Sequence, residues 1–336
     1  MAGIAIIGYG YWGPNLVRNF SMAAGARVEW VVDMRPERLA ALSKQYPDIK
    51  TTSRFEDVLN DASVTAVVIA TPVQHHYHLA KKALEHGKHV LIEKPMTQSS
   101  AQAEELIAIS KQKGLVLMVD HTFLYTGAVR KIKELIDSGE IGEIQYFDST
   151  RINLGLFQPD INVLWDLAPH DISILFYLIN GRPVSVSATG ISHTPNELEN
   201  VAYLTVHYDS AHIAHFSCSW SSPVKIRKIL IGGTKKMIVF DDVEPSEKVK
   251  IYDTGYTVKS DEDKRNLLID YRAGDIYVPK LEQREALAGM AADFISAIAH
   301  GTTPLSDWKV GLEVVKVLEA AQEYIKNKGK EVEIKF

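Results

Sequence analysis

Gly8-Tyr9-Gly10-Tyr11-Trp12-Gly13 sets three glycines at the spacing G-x-G-x-x-G directly after the apolar run Ile4–Ile7. The chemistry such a loop serves is the holding of a pyrophosphate. Gly8 permits a tight turn, Gly10 lets the backbone approach a phosphate, and Gly13 lets the next helix pack closely on the strand. A helix opening here offers unpaired N–H groups and partial positive charge to the phosphates. Tyr11 and Trp12 belong to the same loop and count with it as cofactor contacts. The next apolar run, Val28–Val32, ends in Asp33, at the distance where a carboxylate accepts from both adenosine ribose hydroxyls. That carboxylate repels a 2′-phosphate and favours NAD over NADP. Arg35 and Arg38 pull the other way, because a nearby arginine accommodates the phosphate. A glycine turn in some other α/β fold would explain the glycines alone, without the strand, helix and acid around them.

Three more groups could do chemistry. Ala70-Thr71-Pro72 and Glu93-Lys94-Pro95 each close an apolar run, and Asp166-Leu167-Ala168-Pro169-His170 leads into a helical one. Ligands of open α/β sheets bind outside the carboxyl ends of the strands, and Lys94 falls on that edge. Pro95 keeps Lys94 extended rather than helical. Asp166 and His170, four apart, share a face on a helical turn. Plainer readings stand beside these: His170 fits a helix-start histidine packed on a strand, and Asp166 fits a helix N-terminal carboxylate. Asp120 and His121 end another strand on the ligand edge. His75, His76 and His78 look like a metal cluster, but no Asp, Glu or Cys joins them at ligand spacing. A solvated helix start, with no metal, is expected there.

These residues need a sheet to position them. Short β-branched runs read as buried strands at Ile4–Ile7, Val28–Val32, Val64–Ala70, His89–Ile92 and Val116–Val119. Helical segments lie between them. Pro36 opens one, Ser53 with Glu56 makes a capping box for another, and Gly87 and Gly114 follow two more as left-handed caps. The alternation predicts a doubly wound parallel sheet of Rossmann type over residues 1–122. Residues 123–336 then predict an α+β domain with a large, mostly antiparallel sheet. Its strand-like runs are Ile144–Ile152, Val184–Gly190, Val201–His207, Ala211–Ser219, Ile226–Ile231, Met237–Val239 and Val249–Tyr252. One helix interrupts them at about Leu167–Ile179. Two more, about Arg284–His300 and Asp307–Asn327, are placed to pack back on the first domain. Asp253–Pro279 reads as an excursion or loop.

With 336 residues, two cored domains are expected. A net charge of −5 gives no basic face for nucleic acid. Cys218 is the only cysteine, which excludes a disulfide scaffold, a redox dithiol and a cysteine-rich metal site. No apolar run has membrane-spanning length, and the first residues lack a signal-peptide pattern, so a cytoplasmic chain is expected.

In their order and spacing, the glycine loop, Glu93-Lys94-Pro95 and Asp166-x-x-x-His170 resemble the Gfo/Idh/MocA oxidoreductases (glucose–fructose oxidoreductase, inositol dehydrogenase and relatives). The resemblance runs over nearly the whole chain. It implies that Lys94 and His170 are catalytic and meet the substrate, with Asp166 beside them as a substrate-binding or proton-network residue. Oxidation of a secondary alcohol needs a base for the hydroxyl proton, which an imidazole with an ordinary pKa near 6.5 supplies. It also needs a cation against the developing alkoxide, which Lys94 supplies. The resemblance places Thr71, Pro72 and His75 at a second cofactor-contacting loop, and Glu93, Lys94 and His121 are counted with the cofactor too; Tyr125, Arg151, Asn153 and Trp165 are expected on the substrate side, where polar donors and a stacking ring suit a sugar.

The segments Gly10–Asn15 and Asn162–Asp171 are similar to a branch that oxidises the 3-hydroxyl of UDP-N-acetylglucosamine or its uronate. Val163 and Leu164 stand where many other members have Gly-Gly, which points away from a free sugar or inositol. Two alternatives are carried: a dehydrogenase or reductase of a free sugar, inositol or 3-keto sugar, and a non-enzymatic NAD-binding sensor. The resemblance also implies a homodimer or homotetramer. Ile213, Phe216 and Trp220, which do not alternate strictly with charges, suggest an apolar outer sheet face.

Overall fold

A computed structural model of the chain describes residues 1–155, 157–210, 212–257, 270–327, 329 and 332–334. The chain divides into two units, Met1–Tyr125 with Arg284–Lys316 and Thr126–Gln283 with Val317–Phe336. No helix among the described residues is long and apolar enough to cross a membrane.

In the first unit six strands form a wholly parallel sheet. They are β1 (Ala2–Ile7), β2 (Ala26–Val32), β3 (Lys50–Thr52), β4 (Ala66–Ile69), β5 (His89–Glu93) and β6 (Leu117–Asp120). Their order is β3-β2-β1-β4-β5-β6. That is the dinucleotide-binding order, with its crevice where β1 and β4 diverge in topology. β1, β4 and β6 are buried at every position, as strands covered on both faces must be. The helices between them are α1 (Gly13–Met22), α2 (Pro36–Gln45), α3 (Phe55–Leu59), α4 (His76–Glu85) and α5 (Ser100–Lys113). Pro36 is the first residue of α2, and Gly114 caps α5 at φ +62°.

The capping box expected at Ser53 and Glu56 does not form, because Arg54 is the N-cap of α3 and its side chain makes no cap bond. Thr52 does the local work instead. Its hydroxyl donates to Asp57 at 2.6 Å and accepts from the Arg54 N–H at 3.1 Å. β3 itself, short and polar, has no counterpart among the expected strands.

The second unit opens with α6 (Gly127–Asp137), a helix the sequence reading did not assign, followed by β7 (Ile144–Leu154) and α7 (Val163–Leu178). Strands β8 (Pro183–Ile191), β9 (Val201–Tyr208), β10 (Ile213–Ser219), β11 (Ser221–Gly233), β12 (Met237–Asp241) and β13 (Val249–Tyr252) follow. β14 (Gly255–Thr257) pairs with β15 (Asp270–Arg272), and β16 (Ile276–Tyr277) pairs with β13. The segment expected to be a loop therefore holds three short strands; its residues 258–269 lie outside the described ones. After these come α8 (Ala286–His300), which belongs to the first unit, α9 (Trp308–Lys326), and β17 (Val332–Glu333).

The large sheet has nine strands in the order β16-β13-β12-β11-β7-β10-β9-β8-β17. Every pairing in it is antiparallel except β7 with β10. β10 alternates cleanly, with Ala214, Phe216 and Cys218 buried. Phe216 and Trp220 thus face the core, and Ile213 is the one of the three expected outward residues that is exposed.

Eleven of the sixteen α7 residues are buried, and one of them, Asp171, is charged. Its carboxylate accepts from Arg151 at 2.6 and 2.9 Å and from the Ser149 hydroxyl at 2.7 Å, all on β7. Removing one partner of a buried pair strands the other charge. Asp171→Ala is therefore expected to cost about 3–5 kcal/mol of unfolding free energy. Asp148→Ala, at a half-exposed ion pair with His215, should cost under about 1 kcal/mol. Denaturant titration of both variants checks this.

Candidate active site

At the carboxyl edge of the first unit's sheet lies a cleft of about 750 Å³. Its floor is the glycine turn. Gly8 sits at φ +98°, and a Cβ there would lie 2.6 Å from the Ala70 carbonyl oxygen. A Cβ on Gly13 would lie 2.7 Å from the Gly8 oxygen. These two glycines are demanded by backbone packing. Gly10 differs: its Cβ would meet only the Arg38 guanidinium, at 3.4 Å. Its bareness serves whatever lies above it. Gly10, Tyr11 and Trp12 line the cleft, the two rings edge to face with centroids 5.5 Å apart. Helix α1 begins there with no side-chain cap and no acidic residue in its first turn, so its N–H groups are left to an anion.

Asp33 closes one end. Its carboxylate accepts from the Tyr9 N–H at 2.7 Å and the Arg35 N–H at 2.9 Å, which pins both oxygens. Arg38 reaches it at 3.5 Å and Arg35 at 3.9 Å. Thr71, Pro72 and His75 also line the cleft. The buried Thr71 hydroxyl has no hydrogen-bond partner among the described residues. A glycine cradle, an uncapped helix start, a pinned carboxylate and an orphaned hydroxyl together fit a dinucleotide.

The sequence reading missed Met34, Ser53, Phe55, His78 and Leu79, which also line the cleft. Ser53 and Phe55 follow the unassigned β3. His78 stands one helical turn from His75, a signal that was available. His76 corrects the expectation of a solvated histidine cluster: it is 1% exposed. Its ring nitrogens lie 2.9 Å from the Pro95 oxygen and 2.8 Å from the Thr71 oxygen, joining two loops of the ligand edge. Among the described residues no group of three or more His, Cys, Asp and Glu is placed to hold a metal ion.

Lys94 follows β5 and is half-buried; its peptide bond to Pro95 is cis. Glu93 and His121, expected at the cofactor, are buried and do not line this cleft. Glu93 is paired in register with Asp120. His121 is fully buried, and neither of its ring nitrogens has a hydrogen-bond partner among the described residues. Tyr125 is also buried; its hydroxyl donates to Asp293 at 2.7 Å, within the first unit.

In the second unit, Asn162 caps α7 by accepting from the Trp165 N–H at 3.2 Å. The helix starts earlier than expected, so Asp166 and His170 lie inside it, half-buried and four apart. The Trp220 indole donates to Asp166 at 3.0 Å, a contact no sequence spacing announces. Trp165 is buried, with its indole N–H unpartnered among the described residues. Asn153 is half-buried near the end of β7, while Arg151 is committed to Asp171.

Comparison with known proteins agrees with this anatomy. Residues 2–121 match the model of the oxidoreductase family with an NAD-binding Rossmann fold, and residues 129–239 match the GFO/IDH/MocA C-terminal domain. The chain belongs to the Gfo/Idh/MocA family of oxidoreductases, and its first domain is an NAD-binding Rossmann domain. It is 31% identical to an uncharacterized oxidoreductase, YdgJ, of Escherichia coli over 55% of each chain, so the match spans about half of that relative. It is 27% identical to UDP-N-acetylglucosamine 3-dehydrogenase of Acidithiobacillus ferrooxidans over 92% of this chain and 93% of that one. The solved structure of that enzyme covers 95% of this chain and 96% of its own, with a TM-score of 0.77 and 25% identity.

Two predictions follow from the geometry. Gly10→Ala should leave the melting temperature within a few degrees of the parent, yet weaken NAD binding tenfold or more (about 1.4 kcal/mol). Gly8→Ala should destabilise the fold itself. Calorimetry with and without NAD separates the two. The second concerns pH. Burial, with Lys94 beside it, pushes His121 down to about 3. Between about 6.5 and that value the unfolded chain binds a proton that the folded one refuses, so stability present at neutral pH is lost as pH falls. The urea midpoint of His121→Asn should therefore fall less between about pH 7 and pH 5 than that of the parent.

Proposed function

We propose that the protein oxidises a secondary alcohol of a nucleotide-linked sugar, at its C3 hydroxyl, with NAD as the hydride acceptor. The observation that carries this reading is the position of Lys94, which directly follows β5 on the same sheet edge as the glycine cradle. NAD, when bound, takes up the hydride at its nicotinamide. Gly8, Gly10 and the start of α1 hold the pyrophosphate, and Asp33 accepts from the adenosine ribose. Lys94 donates to the reacting oxygen and steadies its charge as the proton leaves. His170 takes that proton at an imidazole nitrogen. Asp166, itself held by Trp220, orients His170.

Tyr125 and Arg151 drop out of the substrate set, because Asp293 and Asp171 already engage them. Asn153 and Trp165 stay in it. The nucleotide-sugar class draws its support from the UDP-N-acetylglucosamine 3-dehydrogenase relative, whose similarity runs across both domains.

The test is a substrate panel of UDP-N-acetylglucosamine, its uronate, free hexoses and inositols, followed by NADH absorbance. Turnover is expected with the UDP sugars, and Lys94→Ala should lower kcat by about 10²-fold or more. Oxidation of free sugars alone would overturn the substrate class. Unchanged kcat in Lys94→Ala would overturn the mechanism.

A further inference from the structure

β5 and β6 end side by side, with Glu93 in register with Asp120. Neighbouring strands lie about 4.8 Å apart, and parallel partners in register send their side chains to the same face. The two carboxyls are therefore forced together. Glu93 is 9% exposed and Asp120 2%, so water cannot screen one from the other. A carboxylate only accepts, so two carboxyls this close can bond each other only when one of them carries a proton. Thr122 donates its hydroxyl to Asp120, which favours the negative charge on Asp120 over Glu93.

Lys94, the residue after Glu93, acts electrostatically on both carboxyls and on the neutral ring of His121. We propose that Glu93 and Asp120 hold one proton between them and present a single negative charge to Lys94, making them positioning residues that keep Lys94 cationic. This rests on the reading of Lys94 as the group that donates to the reacting oxygen.

The alternatives fail on charge. Two bare carboxylates at this distance, out of water, repel strongly. Two neutral carboxyls would give up the attraction of Lys94 for an anion. Burial raises both groups, Glu93 further because the charge of Asp120 adds to it, and Lys94 opposes the rise in each. One shared proton satisfies all three effects.

Glu93→Gln leaves Asp120 ionised, and Asp120→Asn frees Glu93 to ionise, so either single variant still carries one charge. Only the double variant carries none. Infrared spectroscopy of the cofactor-free protein at neutral pH should show a buried protonated carboxyl band that is absent from both single variants. Acylation of Lys94 with acetic anhydride, followed by mass spectrometry across pH, reads its acidity directly. The half-labelling pH should stay within about 0.5 unit of the parent in each single variant, and fall by about one unit or more in the double variant. Absence of the band in the parent, or a double variant whose Lys94 labels as the parent does, overturns the proposal. If the double variant does not fold, the band and the two single variants still decide. Neither readout needs turnover, so a failed substrate assay leaves this result standing on its own.

Discussion

The ligand edge of the first unit depends on one close approach of backbone to backbone. The turn after β1 runs so near the end of β4 that residue 8 has room only for hydrogen. Three strand ends are locked together there. The Gly8 N–H donates to Val32 on β2, and the Ala70 N–H donates to Ile7 on β1, at 2.7 and 2.8 Å. Because the turn is held this low, the Tyr9 N–H reaches sideways to Asp33, and α1 opens with its N–H groups facing the cleft. A side chain at residue 8 would lift the turn and disturb the glycine loop, the hold on Asp33 and the start of the helix together.

In the second unit the corresponding constraint is a charge. A helix as apolar as α7 packs on a sheet through interchangeable contacts, and one that slid by a turn would still bury its surface. Asp171 removes that freedom. Its carboxylate is satisfied only where Ser149 and Arg151 meet it. A misregistered helix would leave a buried ion pair broken, at several kcal/mol. Asp166 and His170 lie on the same helix, so the ion pair that looks purely structural also fixes where these two polar groups stand along β7. Trp220 adds a second tie at Asp166 from the end of β10.

What could be read from the chain alone follows from how local each cause is. Runs such as Ala66–Ile69 are β-branched and bounded by turn residues, so their burial on both faces is visible without a partner. The glycine spacing is equally local. β3 was invisible because Lys50–Thr52 carries no apolar pattern and is a strand only by pairing with β2. Arg151 looked like a substrate contact because its partner Asp171, twenty residues on, is chosen by the packing of α7. His76 looked solvated because its acceptors come from two other loops. In each case the residue type was informative and its burial was not, since burial is settled by elements far along the chain. The pairing of Glu93 with Asp120 belongs to the same class: both ends of the strands were legible, but not the register that puts them opposite each other.

Cofactor choice shows how geometry decides between opposing charges. Asp33 and two arginines occupy one corner, and their formal charges would sum to a cation that welcomes a 2′-phosphate. They are not held alike. The carboxylate is 8% exposed and bonded through both oxygens to backbone N–H groups, so it cannot retreat from an arriving ligand. Arg35 is 59% exposed and Arg38 29%, and each approaches Asp33 only at the long end of ion-pair distance. Long side chains at a wet surface turn away at small cost, and their charge is screened there. A phosphate placed at the ribose would meet a carboxylate held by two backbone N–H groups. A ribose with both hydroxyls free meets acceptor oxygens already aimed by the backbone. On the proposed reading the corner favours the unphosphorylated ribose, because its one negative charge is the charge the backbone holds in place.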